Sequence, residues 1–152
     1  MTYENLIDEA YAYGVTVKEI PLKYNLKGLY KNSKIIIDQT IPTIEKKCIM
    51  AEELGHHHKT VGNILDESNI SNCKQEIIAR RWGYEKLVGI VDFINAYRDG
   101  AKNRYELANY LAITEEFLDE VVAYYRNKYG TYCEIDNYLI YFEPHLGIIE
   151  MF

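Results

Sequence analysis

The stretch Ile49-Met50-Ala51-Glu52-Glu53-Leu54-Gly55-His56-His57-His58 decides how the chain is read. A helix starts ahead of it at Thr40 or Thr43, helped by Pro42 near the first turn, and runs at least to Gly55 and on to His58. At 3.6 residues per turn, positions 52 and 56 stack on one helix face, while position 53 lies about 100° around. Two side chains at i and i+4 can grip one metal ion and leave the neighbouring carboxylate beside a metal-bound water. Glu52 and His56 are therefore candidate ligands, and Glu53 is the candidate general base. Taken alone, a Glu pair on a helix is more often a solvated face, and a His triplet more often polar surface. His58 points to the other side of the helix from His56, and His57 is a candidate for a supporting or substrate contact.

The third ligand has to come from elsewhere. Glu76 opens the run Glu76-Ile77-Ile78-Ala79-Arg80-Arg81-Trp82-Gly83-Tyr84, where Ala79 and Gly83 follow at i+3 and i+7. A face of small residues lets two helices approach closely, which would bring Glu76 over Glu52 and His56. The set is two carboxylates and one imidazole, with a fourth position open for water. Arg80 and Arg81 are candidates for orienting Glu76 or steadying an oxyanion, with solvated helix charge as the equal alternative.

The pattern E-E-x-x-H departs from the H-E-x-x-H of metallopeptidases at its first ligand. Two carboxylates neutralise the charge of zinc, so bound water is acidified less than by a His-His-Glu set. An oxygen-rich site also shifts preference toward harder ions such as manganese.

Outward from this stretch the chain reads as α+β. Thr2 caps a first helix with Leu6, Ile7, Ala10 and Tyr11 on one face, and Gly14 closes it. Residues 15 to 20 alternate as a strand, and residues 27 to 38 form a hairpin turning at Asn32-Ser33. Residues 59 to 72, rich in Gly, Asn, Asp and Ser, read as loop, and a helix follows from about Ser71 to Val88. Further helices fall at about 88 to 98, 103 to 112 and 114 to 128, the last capped by Thr114 and ended by Gly130. The tail from Tyr132 to Phe152 reads as a second hairpin with Tyr138, Ile140 and Phe142 on one face. The expected division is 1 to 90 for the core and 91 to 152 for the C-terminal part, packed together as one unit.

A net charge of −6 argues against a protein whose main work is gripping nucleic acid or an anionic membrane. Residues 103 to 128 are somewhat like a helix-turn-helix, yet the would-be recognition helix opens with Glu115, Glu116, Asp119 and Glu120. Phosphate repulsion there opposes DNA docking, and the acidic helix start offers itself instead to a basic protein. Cys48, Cys73 and Cys133 form no C-x-x-C pair, and neither a signal segment nor a membrane span is evident, so the expected location is the cytoplasm.

The run from Glu45 to His57, followed by Thr60-Val61-Gly62-Asn63-Ile64-Leu65, resembles the phage-type branch of the ImmA/IrrE metallo-endopeptidases. Glu76, Ala79, Arg80, Arg81 and Trp82 are similar to that family's second metal-binding helix, and the hairpin with Gly28-Leu29-Tyr30 sits in its usual place. The resemblance covers roughly residues 1 to 90. It implies a zincin-like core, a small sheet plus metal-binding helices, in a cytoplasmic zinc-dependent endopeptidase that cuts a helix-turn-helix repressor of a phage or mobile element. Carried over, Glu52 stands where the first ligand histidine would be, Glu53 is the base, and His56 and Glu76 are the remaining ligands. The competing reading keeps the fold and binds the repressor without cleavage.

Overall fold

The computed structural model describes residues 1–59 and 70–152, with 70–72 described by their backbone alone. Two compact units result, Met1–Leu87 and Val88–Phe152. The loop expected over 59 to 72 and the Thr60–Leu65 part of the motif lie, for residues 60–69, outside the described residues.

In the first unit α1 spans Tyr3–Ala12. Thr2 and Asn5 cap it reciprocally, the Thr2 hydroxyl accepting the Asn5 N–H at 3.1 Å and Asn5 Oδ1 accepting the Thr2 N–H at 2.9 Å. The buried face is Tyr3, Leu6 and Ala10, whereas Tyr11, expected to face inward, is 54% exposed. A tyrosine at the rim keeps its hydroxyl wet at little cost, which periodicity cannot distinguish from burial.

Strands β1 (Thr16–Ile20), β2 (Gly28–Lys31) and β3 (Lys34–Asp38) form one sheet in the order β1-β3-β2. The hairpin β2–β3 turns at Asn32 and Ser33, both at positive φ, as a two-residue loop matching strand twist requires. Strand β1 pairs parallel to β3 in register Thr16 to Lys34, so β2 is left as an edge. Ile35 and Ile37 send their side chains into the core with Leu6, Val15, Met50 and Leu54, each worth about 1.5–3 kcal/mol when fully buried. Helices α2 (Thr43–Lys59) and α3 (Ile70–Leu87) complete the unit, α2 packing on β2, β3, α1 and α3. Of the two expected starting points, Thr43 is the one used.

Asp38 ties the sheet to the entry of α2. Its Oδ1 accepts from the Thr40 N–H at 3.1 Å, the Thr40 hydroxyl at 3.0 Å and the Leu22 N–H at 3.4 Å. The Thr40 amide above all holds its carboxyl below the usual range, against the opposing effect of burial. A depressed acid stabilises the fold above its unfolded pKa and loses that contribution as pH falls through the folded value. Asp38→Ala is therefore expected to lower the urea midpoint at about pH 7 and to lower it progressively less as pH falls below the unfolded value of 3.8. An equal loss at every pH would show that the carboxylate charge plays no part.

The second unit begins with α4 (Ile90–Arg98), α5 (Arg104–Leu111) and α6 (Glu115–Tyr129). Asn103 and Thr114 cap the last two, and Ala112 in the left-handed region closes α5. Strands β4 (Tyr132–Ile135), β5 (Tyr138–Tyr141) and β6 (Gly147–Glu150) form an antiparallel sheet in that order. The expected tail hairpin thus carries a third strand. Phe93, Leu118, Val121, Ile140 and Phe142 make the core, and the buried Tyr125 hydroxyl donates to the Val88 carbonyl at 2.6 Å. The whole is a mixed α+β architecture with an N-terminal sheet, a central helical region and a C-terminal antiparallel sheet. Among the described residues no helix is long and apolar enough to cross a membrane.

Candidate functional site

The site is set by how closely α2 and α3 approach. A Cβ on Gly55 would stand 2.2 Å from the Ala79 carbonyl oxygen, and one on Gly83 would stand 3.3 Å from the Ala51 backbone. Ala79 and Gly83 are the small residues that follow Glu76 at i+3 and i+7, so the seam they allow carries Glu76 onto α2. There Glu76 Oε2 lies 3.3 Å from Nε2 of the buried His56. Two atoms held at ~2.0–2.1 Å by one tetrahedral ion stand about 3.3–3.4 Å apart, a separation that this pair matches. Arg80, one turn beyond on α3, places Nε 3.7 Å from the other oxygen of Glu76.

Burial opposes a charge on His56, but the hydrogen bond to Glu76 and the field of Glu53, Glu76 and Glu52 outweigh it and raise its pKa. The same hydrogen bond holds the Glu76 carboxyl below its ordinary range. Glu53 behaves differently. Crowded by protein, its carboxyl is pushed up to about 7 by desolvation, opposed by His56 and reinforced by Glu52 and Glu76. Three carboxyls and an imidazole thus act on one another in one place. Among the described residues, however, no group of three His, Cys, Asp or Glu side chains is gathered closely enough to hold a metal ion. Two donors of the expected three are in position together, and the half-buried Glu52 does not complete a set with them.

Glu53 faces the sheet. A Cβ on Gly28, the first residue of β2, would fall 3.0 Å from Glu53 Oε1 and 2.4 Å from Ile49 Cγ2. Only a residue without a side chain lets the edge strand lie this close to the carboxylate. In the sequence, a glycine opening a strand is the one signal that marks Gly28 for this close approach.

The other two histidines of the triplet have partners of their own. His57 Nδ1 shares a 2.8 Å hydrogen bond with the Tyr30 hydroxyl of β2. His58 sits among rings, 4.4 Å from Tyr13 edge-on and 4.9 Å from Trp82. Burial and the neighbouring His57 lower its pKa, which suits a neutral packing residue. No family model and no curated protein matches the chain.

Proposed function

We propose that the first unit is a metal-dependent endopeptidase module of the ImmA/IrrE kind, with a zincin-like arrangement of sheet and helices, acting on a helix-turn-helix repressor of a phage or mobile element. The observation that carries this reading is the meeting of His56 and Glu76 across the α2–α3 seam, with Glu53 beside them and the edge strand β2 alongside. His56 and Glu76 would hold zinc or manganese, and Glu52 would have to draw in beside them as the third ligand. When bound, such an ion supplies Lewis acidity toward a carbonyl and a water.

The chain's own residues do the rest. Glu53, buried beside His56 with its carboxyl raised by desolvation, is the group placed to take a proton from water and return it to a leaving amine. Its position against Gly28 puts that proton acceptor next to the strand whose outer edge can receive an extended substrate. Tyr30 fixes the ring of His57 at the same edge, and Arg80 steadies the carboxylate of Glu76.

The departure at Glu52 favours the second reading, in which the same surface binds the repressor and releases it uncut, because two carboxylates leave little net charge on the ion. Mixing protein, metal and repressor separates the two readings: new repressor fragments mark a peptidase, and a stable complex without fragments marks a binder.

Metal binding itself is tested by calorimetric titration of untagged protein with zinc. One site is expected, weakened about tenfold or more by Glu76→Gln and tightened by Glu52→His, which restores an imidazole zinc prefers. Affinity indifferent to both changes would remove Glu76 and Glu52 from the ligand set.

A further inference from the structure

The second unit holds a cavity of about 1340 Å³ lying wholly within its own residues. Its floor is apolar, with Phe93, Leu107, Leu118 and Phe142 buried beneath it. The charge around it is unlike that of the unit as a whole. Residues 88 to 152 contain five Lys or Arg against eleven Asp or Glu. Four of those five cations, Arg98, Lys102, Arg104 and Arg126, line the cavity, and only two of the acids, Asp119 and Glu150, join them.

Not all four are free. Arg104 is spoken for by Asp119 and Glu115, both at 2.7 Å, which also ties down part of the acidic helix start that the sequence offered to a basic partner. Arg126 reaches Glu143 only at 3.9 Å, and among the described residues no carboxylate pairs with the side chains of Arg98 or Lys102. Arg98 and Arg126 do favour the C-terminal dipoles of α4 and α6, an ordinary helix-end role. That role does not account for Lys102, nor for all of them meeting at one apolar hollow in an acidic unit.

We propose that this cavity is a docking site for an acidic peptide segment bearing apolar side chains. Charge complementarity selects the sign: apolar groups enter the floor while carboxylates meet Arg98, Lys102 and Arg126. Size selects a peptide over a small molecule, since the volume exceeds the ~300–1,000 Å³ usual for small-ligand pockets. The wall selects an extended one. Strand β6 contributes Gly147, Ile148 and Glu150 to the lining and, among the described residues, pairs only with β5, so its outer edge has backbone groups to offer. The site stands independently of the chemistry assigned to the first unit.

The test is fluorescence anisotropy of the full chain with a short fluorescein-labelled peptide of alternating glutamate and leucine. Saturable binding is expected, weakening as salt is raised, with a lysine–leucine peptide bound far less well. Arg98→Glu with Lys102→Glu should raise Kd about tenfold or more. Lys18→Glu with Lys128→Glu, equal in charge and outside the lining, should leave Kd within about twofold. All four side chains are exposed, and an unchanged melting temperature verifies the fold of both double variants. If the Arg98/Lys102 variant melts early, Arg126→Gln and the salt dependence of the unaltered chain decide instead. Absent binding, equal binding of the basic peptide, or equal losses in both double variants would overturn the proposal. So would binding of dodecanoate, tested separately, when the acidic peptide fails to bind, which would make the hollow a small-amphiphile site.

Discussion

Glu53→Gln is expected to reduce repressor cleavage by about 10²–10⁴-fold while zinc titrates the variant nearly as it does the original protein. The substitution keeps the shape of the side chain and removes its proton acceptor. If His56 and Glu76 hold the ion and Glu53 only handles the proton, chemistry and binding separate in this one variant. Cleavage that survives the change would assign the base elsewhere. Zinc affinity that collapses with it would make Glu53 a ligand.

The same variant carries a second expectation of opposite sign. A carboxyl raised to about 7 in the folded chain is a burden on the fold, because folding disfavours its ionised form. That cost sets in as pH rises above the unfolded value of 4.5, grows up to about 7, and is full above it. With metal removed by a chelator, Glu53→Gln should therefore melt above the original protein at about pH 8, the gap closing by about pH 4. A residue kept for packing would behave the other way, its loss lowering stability at every pH. Loss of activity joined to a gain in stability is what a strained functional carboxylate produces.

Much of this site could be read before any coordinates, and the reason is locality. The i, i+4 relation of Glu52 and His56 follows from helix pitch, and the small residues at 79 and 83 announce a close helix seam without saying what packs there. Caps at Thr2 and Thr114 and the Asn32-Ser33 turn are likewise decided by side chains within four residues of where they act. What could not be read is non-local. Nothing in residues 15 to 20 says that β1 runs parallel to β3 and leaves β2 as the edge, because that pairing joins segments 18 positions apart. The strand Gly147–Glu150 is short and starts on glycine, so period and propensity both understate it. Charge is the clearest case. Net charge is one number for a whole chain, and it gives no hint that four of five cations in an acidic unit line the same hollow.

Gly55 is where the fold and the proposed chemistry depend on one hydrogen atom. Gly55→Ala would set a methyl 2.2 Å from the Ala79 carbonyl oxygen, 2.9 Å from its carbon and 3.2 Å from its Cα. These are backbone atoms of a helix, so no rotamer change relieves the clash and α2 must move off α3. Overpacking of this kind costs about 1–3 kcal/mol, and occasionally more when backbone must shift. Replacing a mid-helix glycine returns about 1 kcal/mol of propensity, so a net loss of up to about 2 kcal/mol is expected. Gly83→Ala tests the same seam with a different balance. Its nearest neighbours would lie at 3.3 Å, a few tenths of an ångström too close, and the propensity gain should bring the variant within about 1 kcal/mol of the original. Parting the helices also parts His56 from Glu76, although neither is altered. Zinc affinity should therefore fall in Gly55→Ala, measured below its melting point, and hold in Gly83→Ala. If Gly55→Ala is as stable as the original protein, the seam is looser than a glycine contact requires. If it is destabilised yet binds zinc undiminished, the ion is held within α2 alone and Glu76 has no part in the site.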